Sequence, residues 1–336
     1  MTQFYTEPQP SGQNAAFSLY TFMVYTQELR VARLHFSTSS RLYKKVLGSL
    51  AVLVLATACQ TVQTTNGGVV GVNRQQQMLV GAAEIEQASA VAYSDAIQKA
   101  QRAGNLNTDA ALAARVRRVA QRLIAQTPAF RPDAKNWKWE VNTIRNDDVN
   151  AFCMAGGKIV VYSGLVTRLK LTDDELAAVV GHEIAHALRE HVREQASSQQ
   201  LGQLLALGAS AAGLKDQYVG LAGDAFQLYG LKHSRSHETE ADLIGVELAA
   251  RAGYDPRAAV TLWDKMAANG GGRPLEFLST HPSPENRQAV LRDASGKVLP
   301  LYQQKQTNWA PPQLPREQRA VPVATPAKKK RVLKRK

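Results

Sequence analysis

Three residues in "GHEIAHALREH", His182, Glu183 and His186, have the types and spacing to run hydrolytic chemistry. On a helix, residues four apart are separated by about 400°, so His182 and His186 leave one face a turn apart and can share a metal ion. Glu183 lies about 100° from His182, beside such an ion and not on it, which suits a base acting on metal-held water. The same stretch is also readable as an ordinary helix whose two histidines face one way, and a zinc site needs a third protein ligand. His191, nine residues after His182, is about 180° around a continuing helix and faces away. In "HSRSHETEADLIG", Glu238 and Asp242 stand four apart on one face of a further helix, whereas Glu240, about 200° from Glu238, faces elsewhere. A glutamate offered to zinc, with an aspartate one turn on accepting the spare N–H of a zinc-bound histidine, supplies both a ligand and its support.

Rigid elements must carry these groups. Thr172 and Glu175 in "LTDDEL" have capping-box spacing, with Asp173 and Asp174 at the positive end of the helix dipole. The helix therefore starts ten residues before His182 and can run to about Arg193. Ser234 or Ser236 can cap the helix bearing Glu238, expected over 235–252. Ahead of the histidine helix, Trp137, Trp139, Val141 and Thr143 alternate with Lys138, Glu140 and Asn142, the pattern of a half-buried strand. "VNAFCMA" and "KIVVYSG" predict two more strands, joined at Gly156 and Gly157. Packing helices are expected from about Gln76 to Ala103, from a cap at Thr108 to about Gln126, and near 256–268 and 284–293. "LGQLLALGASAAGL", residues 201–214, is too short to cross a membrane and reads either as a packing helix or as a flap that touches one. The expected fold class is α+β, mainly helical, with a small β-sheet next to the histidine helix.

The 336-residue chain is 44% apolar, enough to bury a core, and its net charge of +13 is unevenly spread. Residues 1–58 carry +3 and residues 303–336 carry +9, leaving +1 for 59–302, so a basic nucleic-acid face is excluded. Two cysteines do not make a disulfide framework, and Cys153, flanked by apolar residues, reads as a small buried hydrophobe. Cys59 ends "RLYKKVLGSLAVLVLATAC", where a basic start precedes thirteen apolar or small residues, the length of a secretory h-region. This run resembles a bacterial lipoprotein signal, which implies lipidation at Cys59 and, in a Gram-negative cell, the periplasmic face of the outer membrane. Residues 1–58 then form an extension plus signal peptide, 59–75 a polar tether, 76–302 the folded domain and 303–336 a disordered Pro-rich basic tail.

A glutamate ligand offered from a second helix is the gluzincin arrangement; the alternative histidine pattern needs Gly at 189 and His at 192, where Arg189 and Val192 stand. Four motifs in order, "DVNAFCMAGGKIVVYSGL", "HEIAH", "SRSHETEAD" and "STHPSPENR", resemble metallopeptidase family forty-eight, the family of HtpX and the CAAX prenyl proteases, over about residues 110–295. In detail the chain is similar to the periplasmic lipoprotein-type members. The resemblance implies a zincin-like metalloprotease fold, one Zn2+ per chain on His182, His186 and Glu238, and Glu183 as catalytic base. It also implies an edge strand at Asn150 and Ala151 that receives substrate. A His-Pro loop near the metal implies that His281 contacts zinc in a closed state or helps bind the transition state; the plain alternative is a turn before a helix capped by Ser283. Arg287 reads as a bridge between structural carboxylates, and His233 and His237 as surface residues.

Two functions fit these residues. One is a zinc endopeptidase acting on envelope proteins, especially unfolded or misassembled ones, with peptide and protein substrates, a membrane contact through the lipid anchor and no nucleic acid. The other is a metal-stabilised binding or chaperone module at the outer membrane with weak or latent proteolysis. Retention of Glu183 favours the first, because zinc binding alone does not need that carboxylate.

Overall fold

The computed structural model describes residues 60–211, 235–269, 275–281 and 286–308, all within the unit Val54–Lys336. The segment after Cys59 begins with β1 (Gln60–Val62), paired antiparallel with β2 (Gln76–Met78). The sequence expects a solvated tether to 75 and a helix from Gln76. The structure differs because the polar side chains there find buried partners. Gln76 and Met78 are buried, and the Gln76 amide donates to Arg189 O at 2.7 Å and to Glu194 Oε2 at 2.6 Å. An amide with matched acceptors can be buried at little cost, although its composition resembles a linker.

Helix α1 (Ala82–Arg102) closes at Gly104, whose φ of 65° is open to glycine at no steric cost. Helix α2 (Ala110–Ile124) is capped by Asp109 and not by Thr108: the Leu112 N–H donates to Asp109 Oδ1 at 2.9 Å. Its buried residues Ala113, Val116, Ala120 and Leu123 recur at helical spacing and form its core face.

The sheet has three strands, β3 (Glu140–Ile144), β4 (Ala151–Met154) and β5 (Lys158–Tyr162), in the order β3-β5-β4. β3 runs parallel to β5 and β4 antiparallel to it, so β4 lies at an edge. β3 starts at Glu140 and not at Trp137, because the preceding residues turn and the Trp139 indole N–H donates back to Ala134 O at 2.8 Å. Gly156 and Gly157 make the β4–β5 turn with φ of 75° and 83°.

After α3 (Ser163–Arg168), the capping box of Thr172 and Glu175 opens α4 (Asp173–Leu188), with both reciprocal bonds present. α4 is buried on nearly every side and packs against α2, β4 and a later helix, α7. It stops at Leu188 and not near Arg193, because Glu190 takes a φ of 52°, after which α5 (His191–Ala211) begins. Helix α6 spans 235–251, α7 is Ala258–Asn269, α8 is Glu276–Thr280 and α9 is Arg287–Asn308. α9 passes through Pro300 to Asn308, so the expected tail boundary at 303 falls inside a helix. Of the segment 201–214, residues to Ala211 belong to α5 and the rest lie outside the described residues, as do Cys59, His233 and the basic tail from 309. No helix among the described residues is long and apolar enough to cross a membrane. The class is the expected one, mainly helical with a small sheet against the histidine helix.

α4 and α6 touch through backbone. A Cβ on Gly245 would lie 2.7 Å from His182 N, and one on Gly181 would lie 2.9 Å from Gly245 O. Both glycines are helical, so alanine would otherwise improve either helix by about 1 kcal/mol. The expected result for Gly245→Ala is the reverse: a loss of about 1–3 kcal/mol from overpacking, read as a lower midpoint in urea denaturation. A stability equal to or above wild type would mean that the close crossing is dispensable.

Candidate metal centre

The crossing of α4 and α6 sets the site. From α4 come His182, Glu183 and His186; from α6, Glu238 and Asp242; from the end of α8, His281. One donor atom from each of His182, His186, Glu238 and His281 lies within 4.8 Å of the others. His182 Nε2 and His186 Nε2 are 3.0 Å apart, Glu238 Oε2 is 3.4 Å from the first and Glu238 Oε1 is 3.4 Å from the second. Two donors bound about 2.0–2.1 Å from one tetrahedral ion stand roughly 3.3 Å apart, so this spacing fits zinc.

Hydrogen bonds behind the rings decide which nitrogens carry protons. The Asp242 carboxylate accepts, so His182 Nδ1, 2.9 Å from Asp242 Oδ1, donates and leaves the Nε2 lone pair facing the site. His186 Nδ1 lies 2.9 Å from His191 Nδ1, and His191 Nε2 lies 3.1 Å from Glu240 Oε2. Glu240 accepts from His191 Nε2–H; a neutral His191 then accepts at Nδ1 from His186 Nδ1–H, and the His186 Nε2 lone pair also faces the site. Two lone pairs aimed at each other across 3.0 Å repel unless a cation lies between them. A proton or a metal ion meets that need, and the carboxylate of Glu238 suits either.

Charge shifts follow. Against the cost of burial, Asp242 and Glu238 raise His182 to about 9. Burial outweighs Glu238 at His186 and lowers it, while His182 and His186, overcoming burial, hold Glu238 well below the carboxylate range. Glu183 is pushed up to about 8, chiefly by burial and secondarily by Glu238, with His182 and the Cys153 backbone N–H opposing. Its Oε1 has no hydrogen-bond partner among the described residues, with His281 Nε2 at 3.5 Å. Burial and the charge of His182 lower His281 to about 3, and its Nδ1 lies 3.1 Å from Phe277 O.

Arg287 closes the back of the site. Its Nε donates to Asp242 Oδ2 at 2.6 Å and its Nη2 to Glu238 Oε2 at 3.0 Å, while its guanidinium lies 3.5 Å over the Trp263 ring. It bridges the two carboxylates, as its sequence position suggested. Two further residues, His191 and His237, depart from the sequence expectation, while Glu240 faces elsewhere than Glu238, as expected. His191, placed facing away on a continuing helix, turns back to His186 because α4 ends at Leu188 and Glu190 takes a left-handed φ of 52°. Glu240 meets Arg189 at 2.9 Å and Arg74 at 2.5 Å, both in a buried cluster. His237 is buried, stacked on His191 at 4.3 Å and 3.1 Å from Glu194, and is not a surface residue. Asn150 and Ala151 sit where β4 begins, at the sheet edge, and the Cys153 thiol is buried and raised well above its usual range by burial.

Residues 110–295 match the model of Peptidase family M48. Over 171 residues the chain is 39% identical to the mitochondrial metalloendopeptidase OMA1 of Arabidopsis thaliana, covering 50% of this chain and 34% of that protein. It is 39% identical over 175 residues to the protein of the same name from Schizosaccharomyces pombe, covering 51% and 50%. The beta-barrel assembly-enhancing protease of Escherichia coli is 33% identical over 177 residues, covering 49% and 36%. The chain thus spans between a third and a half of the length of these curated relatives.

Because His182 carries a proton below about pH 9, a metal ion must displace it. Zinc affinity, measured by chelator competition from pH 6 to 9, is expected to rise about tenfold per pH unit. An affinity flat across that range would show that His182 does not exchange a proton for the ion.

Proposed function

The chain belongs to Peptidase family M48, and from that premise we propose that it is a zinc-dependent endopeptidase in which His182, His186 and Glu238 hold one zinc ion and Glu183 is the general base. One observation carries the reading: the Nε2 atoms of two histidines face each other at 3.0 Å with the Glu238 carboxylate 3.4 Å from both, and the buried Glu183 carboxylate lies 3.5 Å from His281, the fourth member of that donor group. Two imidazoles and one carboxylate are a donor set suited to zinc. Zinc held there supplies a Lewis acid and brings the pKa of a water toward 7.

The remaining steps belong to the chain. Glu183 is held up at about 8, chiefly by burial; a cation bound beside it would favour its ionised form, in which it takes a proton from the attacking water. It then returns that proton to the leaving nitrogen. The Cys153 backbone N–H holds this carboxylate against β4, so the base and the substrate strand share one support. Tyr162 N–H donates to Asn150 O at 3.0 Å, so the alternate residue Ala151 turns its backbone groups away from β5. An extended peptide adding to that edge is read by its backbone more than by its sequence, which favours unfolded chains. A cavity of about 140 Å³ beside the strand, lined in part by Ile85, Trp137, Cys153, Ala155 and His186, accepts a substrate side chain. His281 sits as a fourth donor, and we assign it a gating role: it must move aside before a substrate carbonyl enters.

The proposed setting is the bacterial cell envelope, with lipidation at Cys59 and unfolded or misassembled envelope proteins as substrates. The signal-like run ending at Cys59 supports the anchor. Similarity to a protein named for enhancing β-barrel assembly supports the substrate class.

Purified protein is expected to hold about one zinc per chain and to cleave casein. Glu183→Gln is expected to keep the zinc and lose at least about 100-fold in kcat, whereas Glu238→Ala loses the zinc. Bound zinc with no cleavage of any unfolded protein would favour the binding-module reading instead.

A further inference from the structure

We propose that His191 is a positioning residue for the metal centre, relaying the Glu240 carboxylate through two imidazole rings to His186 and so fixing which His186 nitrogen faces the ion. The inference rests on the metal reading above and goes beyond its ligand set.

The two ligand histidines are supported differently. His182 has a carboxylate directly behind it, Asp242 Oδ1 at 2.9 Å from Nδ1. His186 has none at that distance: the group behind its Nδ1 is a second imidazole, His191 Nδ1 at 2.9 Å, and the carboxylate stands one ring further back, Glu240 Oε2 at 3.1 Å from His191 Nε2. An imidazole transmits the polarity of its partner only if it is neutral and held in one tautomer. A His186 that offers Nε2 to an ion carries its own proton on Nδ1, so across the 2.9 Å contact His186 donates and His191 Nδ1 accepts. Glu240 fixes the tautomer by accepting at Nε2, which leaves Nδ1 to accept from His186. Arg189 and Arg74 hold Glu240 in turn, at 2.9 and 2.5 Å, so the carboxylate is not free to rotate away.

The backbone has been bent to make this contact. Glu190, a non-glycine residue, sits at φ 52°, in the left-handed region that L side chains disfavour, and its carboxylate is tied to Arg131 at 2.6 Å and Arg193 at 2.7 Å. Without that break His191 would continue α4 and point away from His186. The His237 ring stacks on His191 at 4.3 Å and 9°, setting the plane in which its two nitrogens lie. Removing the outer partner of a metal-bound histidine ordinarily weakens metal affinity about 10–100-fold.

The test uses the full chain and three forms: wild type, His191→Leu and His191→Asn. Leucine removes both hydrogen bonds at similar size, while the asparagine Oδ1 stands where Nδ1 did and can accept from His186. Zinc affinity is measured by chelator competition at pH 7.5, with the thermal midpoint of the metal-depleted protein read in parallel. The expected result is zinc binding about 10–100-fold weaker in His191→Leu, largely recovered in His191→Asn. Unchanged affinity in His191→Leu, or equal losses in both variants that follow the thermal midpoint, would overturn the relay in favour of a packing role. Long-range 1H–15N spectra of metal-depleted wild type give an independent reading: the proton is expected on Nδ1 of His186 and on Nε2 of His191, and the opposite tautomer of either overturns the proposal. If wild type takes up no zinc, the metal reading fails by itself and the tautomers alone decide the relay.

Discussion

The site depends on the backbone contact between α4 and α6. His182 and Glu238 are fifty-six residues apart in sequence, and their donor atoms come within 3.4 Å because Gly181 and Gly245 let two helices meet without intervening side chains. Each glycine is adjacent to a group that matters: Gly181 precedes His182, and Gly245 lies one turn beyond Asp242. The helical propensity lost at both positions is the cost of that approach. The capping box starts α4 in a fixed register, the sheet buries one of its flanks, and α9 brings Arg287 behind Glu238 and Asp242.

Once the helices are that close, electrostatics dictates the surroundings. Paired lone pairs and a carboxylate concentrate electron density at one point, and each group behind them either fixes a tautomer or balances charge. Asp242 and the His191–Glu240 pair do the first, while Arg287, Arg189 and Arg74 do the second. The arginines orient the acidic residues by direct hydrogen bonds. Glu183 is the exception, buried beside that point with one oxygen lacking a partner, a strained arrangement of the kind found where chemistry occurs.

What could be read from the sequence follows from periodicity. His182, His186, Glu238 and Asp242 were legible because each pair lies on a helix whose 3.6-residue repeat is regular between them. The strands and the Gly156-Gly157 turn were legible for the same reason, with a period of two and a turn that demands positive φ. His191 was misplaced because the rotation count assumed a continuous helix, whereas α4 stops at Leu188, two residues before Glu190, whose left-handed conformation has no sequence signature. His237 was read as a surface residue because its partner, Glu194, comes from a segment 43 residues away, and what Glu240 faces was not legible because Arg74 lies 166 residues away. Burial of ionic groups depends on such distant complements, which no local pattern contains.

The hairpin of β1 and β2 gives the domain a border that sequence similarity does not follow. The family match starts at residue 110, yet Arg74, which holds Glu194 and Glu240, and Gln76, which bonds Arg189 O, come from a strip more than thirty residues upstream. The folded unit therefore includes Arg74 and Gln76, upstream of the family match. Through Arg74, this strip reaches Glu240 and, behind it, the His191 ring that supports His186. The strip supplies no donor atom to the centre, yet it bears on that centre from behind, so its charges tune a reaction in which none of its side chains takes part.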